Sequence, residues 1–237
     1  MVIVQHYAHS AKHYAEASPF PGGLFALPEQ CPACRAVNAV VRWGTYERQA
    51  LTGLEAYRIR VQRVRCKACG RTHSLLPDFL HPYRHYVISL LQRVVFLYLL
   101  AGLGINRLMK RLTCQDPVRS TVREWIVSFA YGAGELLFHL LLRGLMRVEP
   151  LSELPETATP GHLHWVPSRA KRRRLECAHR FWQLAEHLYA QAKARLPRLH
   201  FTAGQLLSFV LHWLQSEGVP PRILWSPRLS TTPTEPF

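Results

Sequence analysis

The chain has 237 residues, room for one or two domains, and its 48 % apolar content with six Trp excludes a disordered polypeptide. Thirty basic residues against 15 acidic ones give a net charge of +15, and 25 of the 30 are Arg, whose planar fork suits phosphate and base edges. That balance implies a polyanionic partner, nucleic acid most simply, although Arg-favouring codon usage raises the same count.

No uncharged apolar run reaches the roughly 20 residues that a spanning helix needs. Val94 to Ile105 is 12 residues long, His139 breaks Leu136 to Leu142, and Arg93, Arg107, Glu135 and Arg143 interrupt the flanks. Core helices and no membrane are therefore expected. The start, Met1-Val2-Ile3-Val4-Gln5-His6, lacks a signal-peptide pattern, which points to the cytoplasm.

Residues 1–30 read as a lead-in loop with a plausible helix near Ser10 to Ala17, followed by Pro19, Pro21, Gly22, Gly23 and Pro28. Residues 31–80 are organised by two pairs, Cys31-Pro-Ala-Cys34 and Cys66-Lys-Ala-Cys69-Gly70, with 31 residues between them. Such pairs fold into two knuckles that set four thiolates tetrahedrally around one structural Zn²⁺. A four-cysteine iron–sulfur centre uses the same ligands and stays open. Gly70 suits a knuckle turn that needs a positive φ.

Between the pairs the pattern is β. Val37 to Trp43 forms a strand, Gly44 punctuates it, and Thr45 to Arg48 continues on a returning strand. Tyr57, Ile59 and Val61 then alternate with Arg58 and Arg60, and the phase slips near Arg63 and Val64, which predicts a bulge. Arg58, Arg60, Arg63 and Arg65 are read as a phosphate-contacting strand face, although a solvated face shows the same pattern.

From Val87 the period becomes helical. A first helix closes at Gly102 and Gly104, a short second runs over Ile105 to Leu112, and a third spans about Val118 to Ala130 after the turn Thr113–Pro117. Val122, Trp125, Ile126 and Phe129 form the buried stripe of the third helix. Its other face shows Arg119, Ser120, Thr121 and Arg123. This is the layout of a helix-turn-helix: Arg119 and Arg123 would read guanine edges, and Ser120 and Thr121 would hold phosphate. An ordinary three-helix unit has the same pattern.

Residues 81–147 thus form a helical bundle and 148–168 a Pro- and Glu-rich linker. Residues 169–216 form basic C-terminal helices and 217–237 a Pro-rich tail. The fold class is mainly α with a small β zinc ribbon.

The stretch Arg65 to Leu80, with the Cys31 knuckle and the first six residues, resembles an uncharacterised bacterial zinc-ribbon family. That family is catalogued as a domain of unknown function and is often seen near mobile elements. The likeness covers roughly residues 1–130. A similar ribbon followed by a helix-turn-helix opens many insertion-sequence transposases, where it is thought to bind element DNA. The resemblance implies Cys31, Cys34, Cys66 and Cys69 as zinc ligands.

A transposase's catalytic carboxylates are missing: the chain has two Asp, Asp78 and Asp116, and scattered Glu. His162-Leu163-His164 with Tyr189 resembles the core of metal-dependent single-strand nucleases, but Gly161 and Pro167 bracket it closely. Cys114 and Cys177 are expected bystanders. The expected function is a non-catalytic DNA-binding protein of mobile-element type, nucleoid-associated, with double-stranded DNA and a separate transposase or recombinase subunit as partners. A protein–protein interaction module is the alternative.

Overall fold

The computed structural model describes residues 2–17, 24–82, 84–112, 117–148, 154–155, 168–196 and 198–219. Most of the expected linker and tail, Cys114, Asp116 and the His162–His164 triplet lie outside the described residues. The chain divides into two units, Met1–Ile88 and Ser89–Phe237.

The first unit is built on a four-stranded sheet in the order β1-β4-β3-β2, from β1 (Val2–Gln5), β2 (Val40–Leu51), β3 (Ala56–Cys66) and β4 (Thr72–Pro77). β2 and β3 form a long antiparallel hairpin whose turn is closed by Thr52 and Glu55, each accepting from the other's backbone N–H. β2 continues past Gly44, so Thr45 to Arg48 extends the same strand instead of returning on a new one. The irregularity expected near Arg63 is present, but the extra residue is Trp43 on β2: Arg42 lies opposite Val64 and Gly44 opposite Arg63. Gly44, at φ +123, carries the bend that the bulge imposes.

The described part of the lead-in holds a strand and a helix. β1 pairs parallel with β4, Val2 opposite Ser74 and Gln5 opposite Pro77. Helix α1 (Ala11–Ala17) buries Tyr14 against Tyr7, Phe25 and Phe79, and the Tyr14 hydroxyl donates to the Arg60 carbonyl at 3.2 Å. Asp78 is buried at the end of β4. It accepts from the Tyr7 N–H at 3.0 Å and bonds the His6 Nδ1 at 2.8 Å, which ties β1 to its neighbour.

The second unit is helical: α2 (Ile88–Leu99, whose first residue still belongs to the sheet unit), α3 (Ile105–Arg111), α4 (Arg119–Ser128), α5 (Gly134–Leu145), α6 (Arg169–Arg195) and α7 (Leu206–Ser216). A π-helical turn, Phe129–Ala133, joins α4 to α5, so the helix expected to stop at Ala130 runs unbroken over 27 residues, Arg119–Leu145. That run is long and apolar enough to cross a membrane by length and composition, and 56 % of its most apolar window is buried inside the protein. Its apolar face meets α6: Phe129 stacks on Trp182 at 5.3 Å, and Gly134 faces Ala178. Gln92 of α2 serves the start of α7, donating to the Ala203 carbonyl at 2.8 Å and accepting from the Leu207 N–H at 2.9 Å. The Leu207 N–H is one of the donors that the first turn of a helix leaves unpaired.

Gly132 within the π-turn and Gly134 just after it have opposite roles. A Cβ on Gly134 would lie 2.5 Å from the Ala178 Cβ and 2.9 Å from both the Ala178 Cα and the Phe129 carbonyl, and none of these can swing away. A Cβ on Gly132 would meet nothing within 4 Å. Gly134→Ala should therefore cost about 1–3 kcal/mol by forcing α5 from α6. Gly132→Ala should leave stability unchanged or raise it by up to about 1 kcal/mol. Urea unfolding of the two variants side by side checks this, and equal effects would refute the close-packing role.

Candidate metal centre

Both Cys-x-x-Cys pairs close the same kind of loop. The Arg35 N–H donates to the Cys31 carbonyl at 2.8 Å, and the Gly70 N–H to the Cys66 carbonyl at 2.9 Å. The Cys31 N–H reaches the Ala36 carbonyl at 3.0 Å, and the Cys66 N–H reaches the Arg71 carbonyl at 2.9 Å. The residue after each pair sits in the left-handed region, Arg35 at φ +62 and Gly70 at φ +70. One knuckle therefore uses a glycine and the other forces an arginine into the same turn.

These loops bring the four sulfurs within 4.8 Å of one another. Cys31 Sγ lies 3.8 Å from Cys69 Sγ, and Cys34 Sγ lies 3.7 Å from Cys66 Sγ. A tetrahedral ion bound at about 2.3 Å to each sulfur requires edges of about 3.8 Å. The contacts cross between the pairs, so each knuckle contributes to both edges. Cys31 and Cys66 are buried, Cys69 is partly exposed and Cys34 is exposed. The set can hold one metal ion.

The protonation of the cluster also suits a cation. Burial pushes the Cys31 thiol up. The backbone N–H groups of Cys34 and Ala33, with the Cys34 thiol and His73, outweigh it and hold the pKa at about 6. For Cys34 the Ala36 backbone N–H lowers the pKa, but burial and the sulfurs of Cys69, Cys31 and Cys66 carry it up to about 12. Four thiolates this close repel one another, and a divalent cation is what lets all four ionise together.

His73 was not singled out in the sequence. It is buried on β4, its Nε2 lies 3.5 Å from Cys31 Sγ, and its Nδ1 has no partner among the described residues. A ring N–H pointed at a ligand sulfur steadies the thiolate.

The expected contact residues divide into groups. Strand periodicity puts Arg58 and Arg60 on one face of the sheet and Arg63 and Arg65 on the other. Glu47 stands between Arg58 and Arg60 at 3.6 and 3.9 Å, whereas Arg63 and Arg65 have no carboxylate partner among the described residues. Arg63, Arg48, Thr72, Ser74 and His85, with Glu47, line a cleft of about 480 Å³. On α4, Arg119, Ser120 and Arg123 are exposed and Thr121 is half-buried, while Val122, Trp125 and Ile126 are buried. Arg119 shares a cleft of about 540 Å³ with Asn106 and Arg107 at the start of α3.

One further grouping, Glu135 and His139 of α5 with Cys177 of α6, falls within ligand distance. Arg173 and Arg174 each approach the Glu135 carboxylate at 3.8 Å and compensate its charge. Tyr189 donates to the Phe201 carbonyl at 3.0 Å, a bond internal to the helical unit.

A family model described as a domain of unknown function (DUF6431) matches residues 31–98, a span that contains all four cysteines and the hairpin between them. No curated protein and no solved structure shows detectable similarity to the chain.

Metal removal, or Cys66→Ser, should unfold the sheet unit, because site formation and folding are linked there by on the order of 10 kcal/mol. Amide exchange would show β2 to β4 losing protection while α5 and α6 keep theirs. The knuckle turns make a finer test. Arg35→Gly relieves the left-handed strain and should raise stability by about 0.5–1 kcal/mol, and Gly70→Ala should lower it by about 1 kcal/mol. Thermal melts of the metal-loaded protein read both signs, and a neutral Gly70→Ala would contradict the turn assignment.

Proposed function

We propose that the protein is a non-catalytic DNA-binding protein whose sheet unit folds around one structural Zn²⁺. Zinc is the natural occupant of four sulfurs at tetrahedral separation, being borderline-soft and indifferent to redox state. The observation that carries the DNA reading is the distribution of arginine at that end of the sheet. From Arg58 to Arg71 there are six basic residues and no acid, and Arg63 and Arg65 have no carboxylate ion-pair partner among the described residues. A surface of that kind loses its self-repulsion when phosphates replace the missing carboxylates.

The second part of the reading is that α3 and α4 act as a helix-turn-helix on double-stranded DNA. Arg119, Ser120 and Arg123 lie exposed near the N-terminal end of α4, where a recognition helix meets base edges. Arg107 beside Arg119 adds a phosphate contact from the preceding helix. A mobile-element role, with a separate transposase or recombinase subunit supplying catalysis at the nucleoid, is the biological setting this reading fits.

Binding measured over a range of salt concentrations tests it. Arg123→Ala should cost about 1–3 kcal/mol and relax preference at one or two base positions. Arg63→Ala should weaken all sequences alike and flatten the salt slope by about one unit. Arg60→Ala, whose charge Glu47 already offsets, should do less than Arg63→Ala. A salt-independent affinity, or no binding to selected random duplexes, would overturn the DNA reading in favour of a protein partner.

A further inference from the structure

Trp43 is a large aromatic left 55 % exposed on the most basic part of the sheet. Its position is a built feature. It is the extra residue of the β2 bulge, so it has no cross-strand partner, and Gly44 at φ +123 supplies the bend that releases it from the ladder. A bulge re-aims a side chain at a cost to pairing.

The ring is also held in place. The Arg65 guanidinium lies 4.6 Å from the Trp43 ring centre, and the Arg65 Nε donates to the Gly70 carbonyl at 3.3 Å. The second knuckle thus anchors the arginine that covers one side of the indole. Beside it, Gly44 lies opposite Arg63, and Arg63 opens onto the cleft it shares with Arg48, Thr72, Ser74 and Glu47. The Arg48 guanidinium donates to the His81 and Arg84 carbonyls, and Glu47 pairs with Arg58 and Arg60, which leaves Arg63 to face a ligand there. A flat aromatic surface next to cations and hydroxyls matches a ligand that alternates flat rings with negative charges.

We propose that the Trp43–Arg65 pair is a stacking platform for an unpaired base, and that the sheet unit takes single-stranded DNA, with the adjacent Arg63, beside Thr72 and Ser74, receiving a backbone phosphate. The free side of the indole stacks on the base, every base offers such a face, and contact of this kind tolerates any sequence. A base inside a duplex is already stacked on both sides and cannot use the platform. The proposal rests on the DNA-binding reading and adds the form of DNA that the sheet engages.

The test uses the full zinc-loaded chain, fluorescence anisotropy, a labelled oligothymidylate and a labelled duplex of equal length. Trp43→Ala should weaken the single strand by on the order of tenfold and leave the duplex nearly unchanged. Trp43→Phe, which still stacks, should retain most of the affinity. Arg63→Ala should weaken both ligands, because it meets phosphate only. Zinc content and far-UV circular dichroism confirm that each variant is folded. Equal single-strand affinity for Trp43→Ala and the parent protein overturns the platform while leaving DNA binding standing. Equal losses on single strand and duplex also overturn it, since the indole would then act through the fold or the general charge. A parent protein that binds neither ligand defeats the DNA-binding reading, and the platform with it.

Discussion

Four sulfurs within 4.8 Å of one another set the terms for the sheet unit. Without a cation the cluster is uneven: Cys31 is held as the readily ionised thiol while the neighbouring sulfurs push the Cys34 thiol up, and the first knuckle keeps Arg35 in the left-handed region with nothing to offset the strain. With a cation the same turns become the closure of two loops that are remote in sequence. Cys66 is the last residue of β3, so the site also ends the hairpin, and β4 leaves the second knuckle directly to pair with β3 and β1. The hydrophobic layer around Tyr14, Phe25 and Phe79 then packs on a sheet whose strand order is already closed at one end.

Charge is arranged by a different logic in the helical unit. Arg169, Lys171, Arg172, Arg173 and Arg174 occupy the first two turns of α6, where the helix dipole is positive, and no acid lies in its first turn. That placement is unfavourable by a few tenths of a kcal/mol or more per charge. Glu135 answers part of it from the neighbouring helix, and the Ser168 side chain caps the turn by accepting the Lys171 N–H at 3.4 Å. The basic run that opens α6 has the same sign as the Arg63 and Arg65 face of the sheet unit.

What the sequence made legible was local and chemical. The four cysteines carried their spacing, the alternation of Ile59 and Val61 marked β3, and the stripe through Trp125 marked α4. Long-range relations stayed hidden. β1 is four residues of ordinary apolar sequence, and nothing nearby shows that it pairs with a strand some 70 residues on. Gly132 and Gly134 have the composition of a helix stop, yet Gly134 is there because Ala178 leaves no room for a side chain. A glycine that permits close packing and a glycine that ends a helix look the same until the neighbour is known. The strand arginines were legible as a charge run but not as two faces, because the bulge expected at Arg63 lies on β2 and leaves the alternation of β3 unbroken. Glu47, the partner of Arg58 and Arg60, lies on the other strand.

The cluster also reaches the surface through a short chain of contacts. The Gly70 N–H is spent on the Cys66 carbonyl, and its own carbonyl accepts from Arg65, whose guanidinium covers Trp43. Each link depends on the one before it: if the knuckle relaxes, the Gly70 carbonyl turns away, Arg65 loses its anchor, and the indole loses the group that orders it. The far end of the hairpin has its own local closure, since Thr52 and Glu55 close their turn with their own backbone and hydroxyl bonds. Arg58 and Arg60 lie toward that end, whereas Arg65 and Trp43 sit beside the second knuckle. The cysteine cluster therefore bears on the surface chemistry at Trp43 as well as on the stability of the sheet.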